Sequence, residues 1–420
     1  MHSGNFSLFA NDPRVTSLSH LTQEYLTKCL IATVPANLPD SPIDRYQVTN
    51  LRYKPGQKMV LGLTAPGSQR PLAVRIYPPG KLSSSLDEAR EFHPDHCFAM
   101  PELDALVWVF PGERKLNLKP VADEYQLKQT VAKHRGLHMN SCTLVHYVPE
   151  HTYTACLSCT DPQGGSVTEY LKLHYNNKGA VTTRIMKYLS EALAETMLEI
   201  PPMPYYDPES RLMLQSALSR NESARLSDNQ AAKAFARFHQ VPIPTSDTMF
   251  LEPNAMASTT NSLVEAVFPS WTARIDSLGR NITNSLTKTI GYQVLIHGDA
   301  HLGNFFPLEN GKVGIIDFDA VAIGEPEDDI CSYFGFKLWL ALRNNQPPTQ
   351  ILDRFPDFIA SYNDCALRSV SQSRTYLKLA EKLLNERIRR GIARGKLSGE
   401  NELASFVEIA EHCLDAAGTH

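Results

Sequence analysis

The chain has 420 residues, 42% hydrophobic and 20% charged, with a net charge of −4 and a pI near 6.4. This is an ordinary globular balance with core enough for two or three domains, and it gives no general attraction to nucleic acid or to an anionic membrane surface. No window approaches about 18 consecutive apolar residues, so no membrane span is expected. The first residues, MHSGNFSLFANDPRV, lack the basic start and apolar stretch of a secretory signal, which makes the cytoplasm the expected location.

Residues 1–40 contain one predicted helix (SLSHLTQEYLTKCLIATV) and lead into a Pro-rich connector, PANLPDSPIDRY. An internal echo follows. Residues 51–77 (LRYKPGQKMVLGLTAPGSQRPLAVRIY) and 145–174 (VHYVPEHTYTACLSCTDPQGGSVTEYLKLH) share one order. Each runs Tyr-x-Pro, a few polar residues, an alternating run, a Gly-containing turn and a second alternating run. Tyr53 answers to Tyr147, Pro55 to Pro149 and Arg75 to Lys172, so two hairpins of one design are expected. Between them, HPDHC (His93, His96, Cys97) reads as a surface loop rather than a metal cluster, and a helix is predicted near 119–135. Eight cysteines are too sparse for a disulfide scaffold. The CxxC of Cys156 and Cys159 lies in a strand-like run, which puts the two on opposite faces.

After the second hairpin, residues 180–199 have apolar positions at helical spacing. PPMPYYDPESRLMLQSAL then suggests two short strands around an Asp-Pro turn, ending near Gln215 to Leu218. The remainder is mainly helical, over 228–240, 259–287, 328–344, 349–366 and 371–416. The basic run RIRRGIAR (387–394) falls at helical spacing and is taken as a solvated face. A β-rich front half before a helical back half predicts an α+β fold with two lobes.

The densest chemistry is VLIHGDAHLGNFFPLENGKVGIIDFDA, residues 294–320. An apolar strand leads to the polar loop His297–Asn304, and a second strand ends at Asp317 and Asp319. Phosphoryl transfer from ATP needs a carboxylate to take the proton of the attacking hydroxyl, hard oxygens for Mg²⁺, and a cation for the phosphates. Asp299 is the candidate base; Asn304 and Asp317 are candidate metal ligands. The spacing Asp-x4-Asn, followed by a strand-borne Asp, is that of a kinase catalytic loop and metal-binding segment.

HGDAHLGN followed by Ile316-Asp317-Phe318-Asp319, then Gly324-x-Pro326-x-x-Asp329, resembles the aminoglycoside phosphotransferase and choline kinase-like superfamily. KAFARFHQ (233–240) is similar to the helix that precedes the catalytic segment there. The likeness covers residues 140–345 well and the C-terminal helices loosely. It implies a two-lobed protein-kinase-like fold and a small-molecule kinase using ATP and Mg²⁺. It also implies Asp299 as base, Asn304 and Asp317 as ligands, and Asp319 either near a second metal or supporting the loop. His297 is implied to brace the loop through backbone bonds and Asp329 to cap the next helix, while His301 is left between loop packing and a substrate contact. Lys172 is implied to hold the phosphates, with Glu191, which shares a helix face with Glu195, as its carboxylate partner. Gln215, Ala217 and Leu218 fall at the adenine-binding hinge.

One departure is plain: YVPEHTY (147–153), where a phosphate-covering loop belongs, has no glycine. The first hairpin resembles the N-terminal cap of maltokinase-like and glucosamine kinase-like members. The expected division is therefore a cap subdomain at 1–135, a nucleotide-binding lobe at 136–218, and a catalytic and substrate-binding helical lobe at 219–420. The acceptor is expected to be a hydroxyl of a sugar, amino sugar or aminoglycoside-like molecule. The acidic run at Glu325, Glu327 and Asp328 favours an amine-bearing one, with a solvated helix start as its alternative. A catalytically inactive pseudokinase is the competing function; the presence of Lys172, Asp299, Asn304 and Asp317 weighs against it. A metal-dependent hydrolase is disfavoured because His301 is the only histidine close to His297.

Overall fold

A computed structural model describes residues 6–244 and 261–418; the start of the helix expected over 259–287 lies outside them. The first helix, α1 (Gln23–Thr33), begins later than its apolar pattern suggests. Thr22 fixes the start, its side chain accepting the Tyr25 N–H at 3.0 Å as an N-cap.

The chain then builds β1 (Gln47–Lys54), β2 (Lys58–Thr64), β3 (Leu72–Ile76), α2 (Leu82–Phe92), β4 (Cys97–Met100) and β5 (Ala105–Val109). These strands form an antiparallel sheet in the order β1-β2-β3-β5-β4. His93–His96 form the expected surface turn, here joining α2 to β4, while Cys97 opens β4 and burial lifts its thiol to about 12. The predicted helix at 119–135 divides into α3 (Lys119–Ala122) and α4 (Glu124–Arg135) at Asp123, whose carboxylate caps α4 through the Gln126 N–H.

A second pass follows: β6 (His138–Val148), β7 (Thr152–Thr160), β8 (Ser166–His174), α5 (Lys178–Ala192), β9 (Leu198–Glu199), β10 (Tyr205–Asp207) and β11 (Leu212–Ser216). Its sheet runs β6-β7-β8-β11-β10, the same order as the first. The echo seen in two hairpins therefore extends to a whole β-β-β-α-β-β unit. Arg75 stands between Val60 and Leu106, Lys172 between Thr154 and Met213, each on the middle strand of its sheet.

The two sheets pack face to face. Ala73, Leu106 and Trp108 share an apolar layer with Tyr153, Leu157, Leu171 and Leu173. The alternate residues of the first sheet, Leu72, Val74, Val107 and Val109, enter the core that also holds α1 and the C-terminal helices. Strand alternation thus gives the first sheet two buried faces. Gly62 permits the closest approach, since a Cβ there would lie 2.8 Å from Pro149. The neighbouring Glu150 meets Arg75 at 2.5 Å, Lys58 at 3.4 Å and Arg114 at 3.6 Å, and its N–H donates to Glu113. Arg75 is occupied by this junction.

The helical lobe begins with α6 (Asp228–Phe238), α7 (Asn261–Val267) and α8 (Thr272–Leu286). Four short strands follow: β12 (Val294–Ile296) pairs with β15 (Ala322–Gly324), and β13 (Phe305–Pro307) with β14 (Val313–Ile315). Beyond them lie α9 (Pro326–Arg343), α10 (Thr349–Leu352), α11 (Phe355–Asn363) and α12 (Gln372–Lys382). The helix expected as one piece over 371–416 passes from α12 into a π-helical stretch at Leu383–Arg389 and then α13 (Arg390–Ala393). It stops there, because Gly395 takes a left-handed φ of 59°, and resumes as α14 (Glu400–Gly418). No described helix is long and apolar enough to cross a membrane.

Candidate active site

The loop between β12 and β13 is held from below by one buried carboxylate. Asp329, in the first turn of α9, accepts the N–H of His297 at 2.6 Å and of Gly298 at 2.8 Å. It also meets His239 Nε2 at 3.1 Å, and the other nitrogen of that ring lies 3.0 Å from the Tyr362 hydroxyl. Burial alone would raise the Asp329 pKa; the His239 bond and charge, with help from His297, outweigh it and hold the carboxyl below its usual range. The expected helix cap is therefore a loop anchor. The caps of α9 are Glu325 and Asp328, which exchange backbone bonds as a capping box.

His297 ties the loop to the next strand. Its Nε2 is 2.9 Å from the Ile316 carbonyl, while Nδ1 accepts the Asp299 N–H at 3.4 Å. That pairing fits the tautomer with the proton on Nε2. Gly298 is the one residue that fits between them: its φ is 77°, and a Cβ would meet the Ala320 carbonyl oxygen at 2.1 Å. Asn304 donates through Nδ2 to the Asp299 carbonyl at 2.9 Å, and its Oδ1 has no hydrogen-bond partner among the described residues.

Asp317, separated from the end of β14 by Ile316 alone, adopts a left-handed φ of 64°, a conformation uncommon outside glycine and concentrated at functional sites. Lys172 reaches across from the second sheet to lie 2.9 Å from Asp317 and 2.5 Å from Asp319. Burial would lower the lysine's pKa, but Asp319 and then Asp317 reverse the shift and raise it. Asp319 in turn is held low, burial being outweighed by Lys172 and then His174. Thr182 on α5 donates to the other Asp319 oxygen at 2.9 Å. Burial drives His174, 4.0 Å from Asp319, down to about 4.

Not every expected residue joins this centre. Glu191 is exposed, and the ion-pair partners of Lys172 among the described residues are Asp317 and Asp319. The reason is helical phase: Thr182 faces the site, and nine residues on, two and a half turns away, Glu191 points to the opposite side. Of the hinge residues, Gln215 turns its amide to Met186 and the Ala217 N–H continues the sheet to Thr168 O at 2.9 Å. The Leu218 N–H has no partner among the described residues. The acidic run is occupied by its own chain: Glu325 pairs with Arg374 and, at 2.9 Å, with Lys378, and Asp328 lies 3.5 Å from Lys382. Burial, with Glu325 nearby, raises Glu327 to about 7. These groups therefore do not provide a free acidic patch for an amine; Glu325 and Asp328 do start the helix, but the run is paired and, at Glu327, buried rather than solvated.

Two features escaped the sequence. Thr182 carried no motif. The basic run expected as a solvated face is only partly one: half-buried Arg387 and Arg390 and the exposed Arg394 line a cavity of about 150 Å³ together with Asp299, His301 and Trp339. Their spacing of i, i+3 and i+7 showed a common helix face, but not what that face met.

Comparison with known proteins finds a family likeness over this site. Residues 193–362 match the model of APH, the phosphotransferase enzyme family. No curated protein matches the chain. Among solved structures, spectinomycin phosphotransferase APH(9)-Ia in complex with ADP and spectinomycin is similar at 15% identity and a TM-score of 0.46, over 69% of this chain and 98% of that one. Choline kinase LicA from Streptococcus pneumoniae gives 15% identity and 0.46, over 70% and 99%. Macrolide 2'-phosphotransferase MphH from Brachybacterium faecium gives 17% and 0.43, over 69% and 97%. The stretch that carries the loop, both strand-end aspartates and the anchoring Asp329 is thus the part of the chain that matches the phosphotransferase enzyme family.

Proposed function

We propose that this chain moves the γ-phosphoryl group of ATP to a hydroxyl of a small molecule, with Asp299 as the base. One observation carries the reading: Asn304, Asp317 and Asp319 share the Asp299 loop and its neighbouring strand, and Lys172 bridges the two strand-end carboxylates from the other lobe. The acceptor oxygen attacks the γ-phosphorus, its proton passes to the Asp299 carboxylate, and the bond to the β–γ bridging oxygen breaks to release ADP. Lys172 is the cation for the phosphates, and the Leu218 N–H supports the adenine at the end of β11.

The donor set fits Mg²⁺. The Asn304 Oδ1 and the Asp317 and Asp319 carboxylates are hard oxygens, and these residues would hold the ion. When bound, Mg²⁺ neutralises charge on the phosphates. His297, Gly298 and Asp329 fix the backbone from which Asp299 projects, so the base is placed before any ligand arrives.

The test is Mg²⁺-dependent binding of a non-hydrolysable ATP analogue, followed by ADP release against sugars, sugar acids, amino sugars, aminoglycosides and amino alcohols. Asp317→Ala is expected to remove the Mg²⁺-dependent part of nucleotide binding. Unchanged binding in that variant would sink the assignment.

A further inference from the structure

Resting on the phosphotransferase reading above, we infer that the acceptor carries an anionic group, a carboxylate or phosphate, bound by Arg387, Arg390 and Arg394 while its hydroxyl lies at Asp299. The cavity beside Asp299 has Arg387, Arg390, Arg394 and Lys396 in its lining, and Asp299, Glu386 and Glu402 as its acids. Two of those acids are already engaged. Glu386 lies 3.3 Å from Lys382, and Glu402 accepts the N–H and hydroxyl of Ser398, both at 2.6 Å. Asp299, with Glu386 shared between Lys382 and the nearer arginines, is left to face four cations.

Those cations lack partners of their own. Among the described residues, the side chains of Arg390, Arg394 and Lys396 make no hydrogen bond or ion pair. Arg387 is oriented by one bond from Nη2 to the Ser332 carbonyl at 3.3 Å and by the Phe336 ring beneath it, 5.6 Å away. Its remaining donors are open. Burial and then mutual repulsion act on the group: Arg394 is pushed down to about 10 by burial, with Arg390 the next cause, and Lys396 is lowered by burial and then by Arg394 and Arg390. Like charges gathered in a partly buried cavity are unfavourable until an anion joins them.

The nucleotide's phosphates do not account for the whole cluster. Lys172, Asp317 and Asn304 are absent from the lining of this cavity; Arg390 and Glu386 also border the neighbouring cavity that holds Asp319 and His174, whereas Arg387 and Arg394 do not. Forked guanidinium groups suit planar carboxylate and phosphate oxygens, and the Phe336 and Trp339 rings give the rest of a small acceptor an apolar wall. The π-helical stretch at Leu383–Arg389 brings Arg387 into this arrangement, as such irregular turns often do at sites.

Matched acceptors test the inference and separate the two anion types: a sugar, its uronic acid, its phosphate ester and its amino analogue, each followed by ADP release. An anionic member is expected to exceed the neutral and amino members at least tenfold in kcat/KM. Arg394→Gln should raise the KM of that acceptor on the order of tenfold and leave the KM of ATP unchanged. Independently of turnover, inorganic phosphate titrated into the full chain saturated with Mg²⁺ and ADP should bind, and Arg387→Gln/Arg394→Gln should weaken that binding by at least tenfold. Preference for a neutral or amino acceptor overturns the inference, as does phosphate binding that is absent or identical in the double variant. If no acceptor turns over, the titration alone decides it. Phosphate binding at these arginines in a chain that binds no ATP would keep the anion site and discard the kinase reading.

Discussion

Removing the carboxylate of Asp329 is expected to be the most damaging single change near the site, although Asp329 touches no reactant. Its side chain is 0% exposed and accepts from two loop amides and from His239. Asp329→Ala leaves those donors buried without an acceptor. Each bond to a charged group contributes about 1.5–3 kcal/mol, but the three share one acceptor and do not add. Breaking a buried charged pair costs about 3–5 kcal/mol, a large part of the roughly 5–15 kcal/mol that holds a protein folded. At about 2–4 °C per kcal/mol for a lobe of this size, the melting midpoint should fall by roughly 10 °C. Asp329→Asn, which keeps the volume and one accepting oxygen, should lose about half as much. Thermal unfolding by circular dichroism gives the midpoint, and hydrogen exchange of residues 297–304 gives the loop. Because the folded carboxyl is held below its unfolded value, its contribution is complete above the unfolded pKa of about 3.9 and disappears as pH falls through the folded one. The acid limb of stability should therefore flatten in Asp329→Asn. A midpoint within about 1 °C of wild type for Asp329→Ala, with unchanged loop exchange, would refute this account.

Three further outcomes follow from the same geometry. Asp299→Asn should lower kcat by about 10²–10⁴-fold with ATP affinity nearly intact, since the base acts on the acceptor; near-wild-type turnover on the true substrate would remove it from that role. Lys172→Met should cripple ATP binding measured by calorimetry. Arg75→Met, which only takes the nearest cation from Glu150, should lower stability alone; equal loss of ATP affinity from both would show that the wrong copy of the repeat was chosen. Gly298→Ala should disturb the loop even in the apo chain, because its Cβ has no room beside the Ala320 carbonyl; unchanged amide signals for residues 297–304 would contradict this.

Much of this molecule was legible in the chain alone because its signals are local. Period-two runs marked the strands of both hairpins, and Asp299, Asn304, Asp317 and Asp319 lie within 21 consecutive residues, so their grouping depends on one loop and one strand. Lys172 was chosen because the resemblance asks for a cation on the third strand of the nucleotide-binding lobe, and it does stand on the middle strand of that sheet. What escaped was decided by contacts between distant segments. Helical spacing told that Glu191 and Glu195 share a face, but which face met Lys172 depended on how α5 docked, and that face carries Thr182. Asp329 stood in its motif, yet its loop amides lie about thirty residues upstream and its histidine ninety, beyond any capping rule. The charged runs misled for the same reason. Acids at 325–328 read as an open patch until Arg374, Lys378 and Lys382 closed on them, and arginines at 387–394 read as solvated until their helix turned them toward Asp299. A sequence sets which side chains share a face; only tertiary packing sets what that face meets, because the energy of a charge depends on the partner and the burial it finds there.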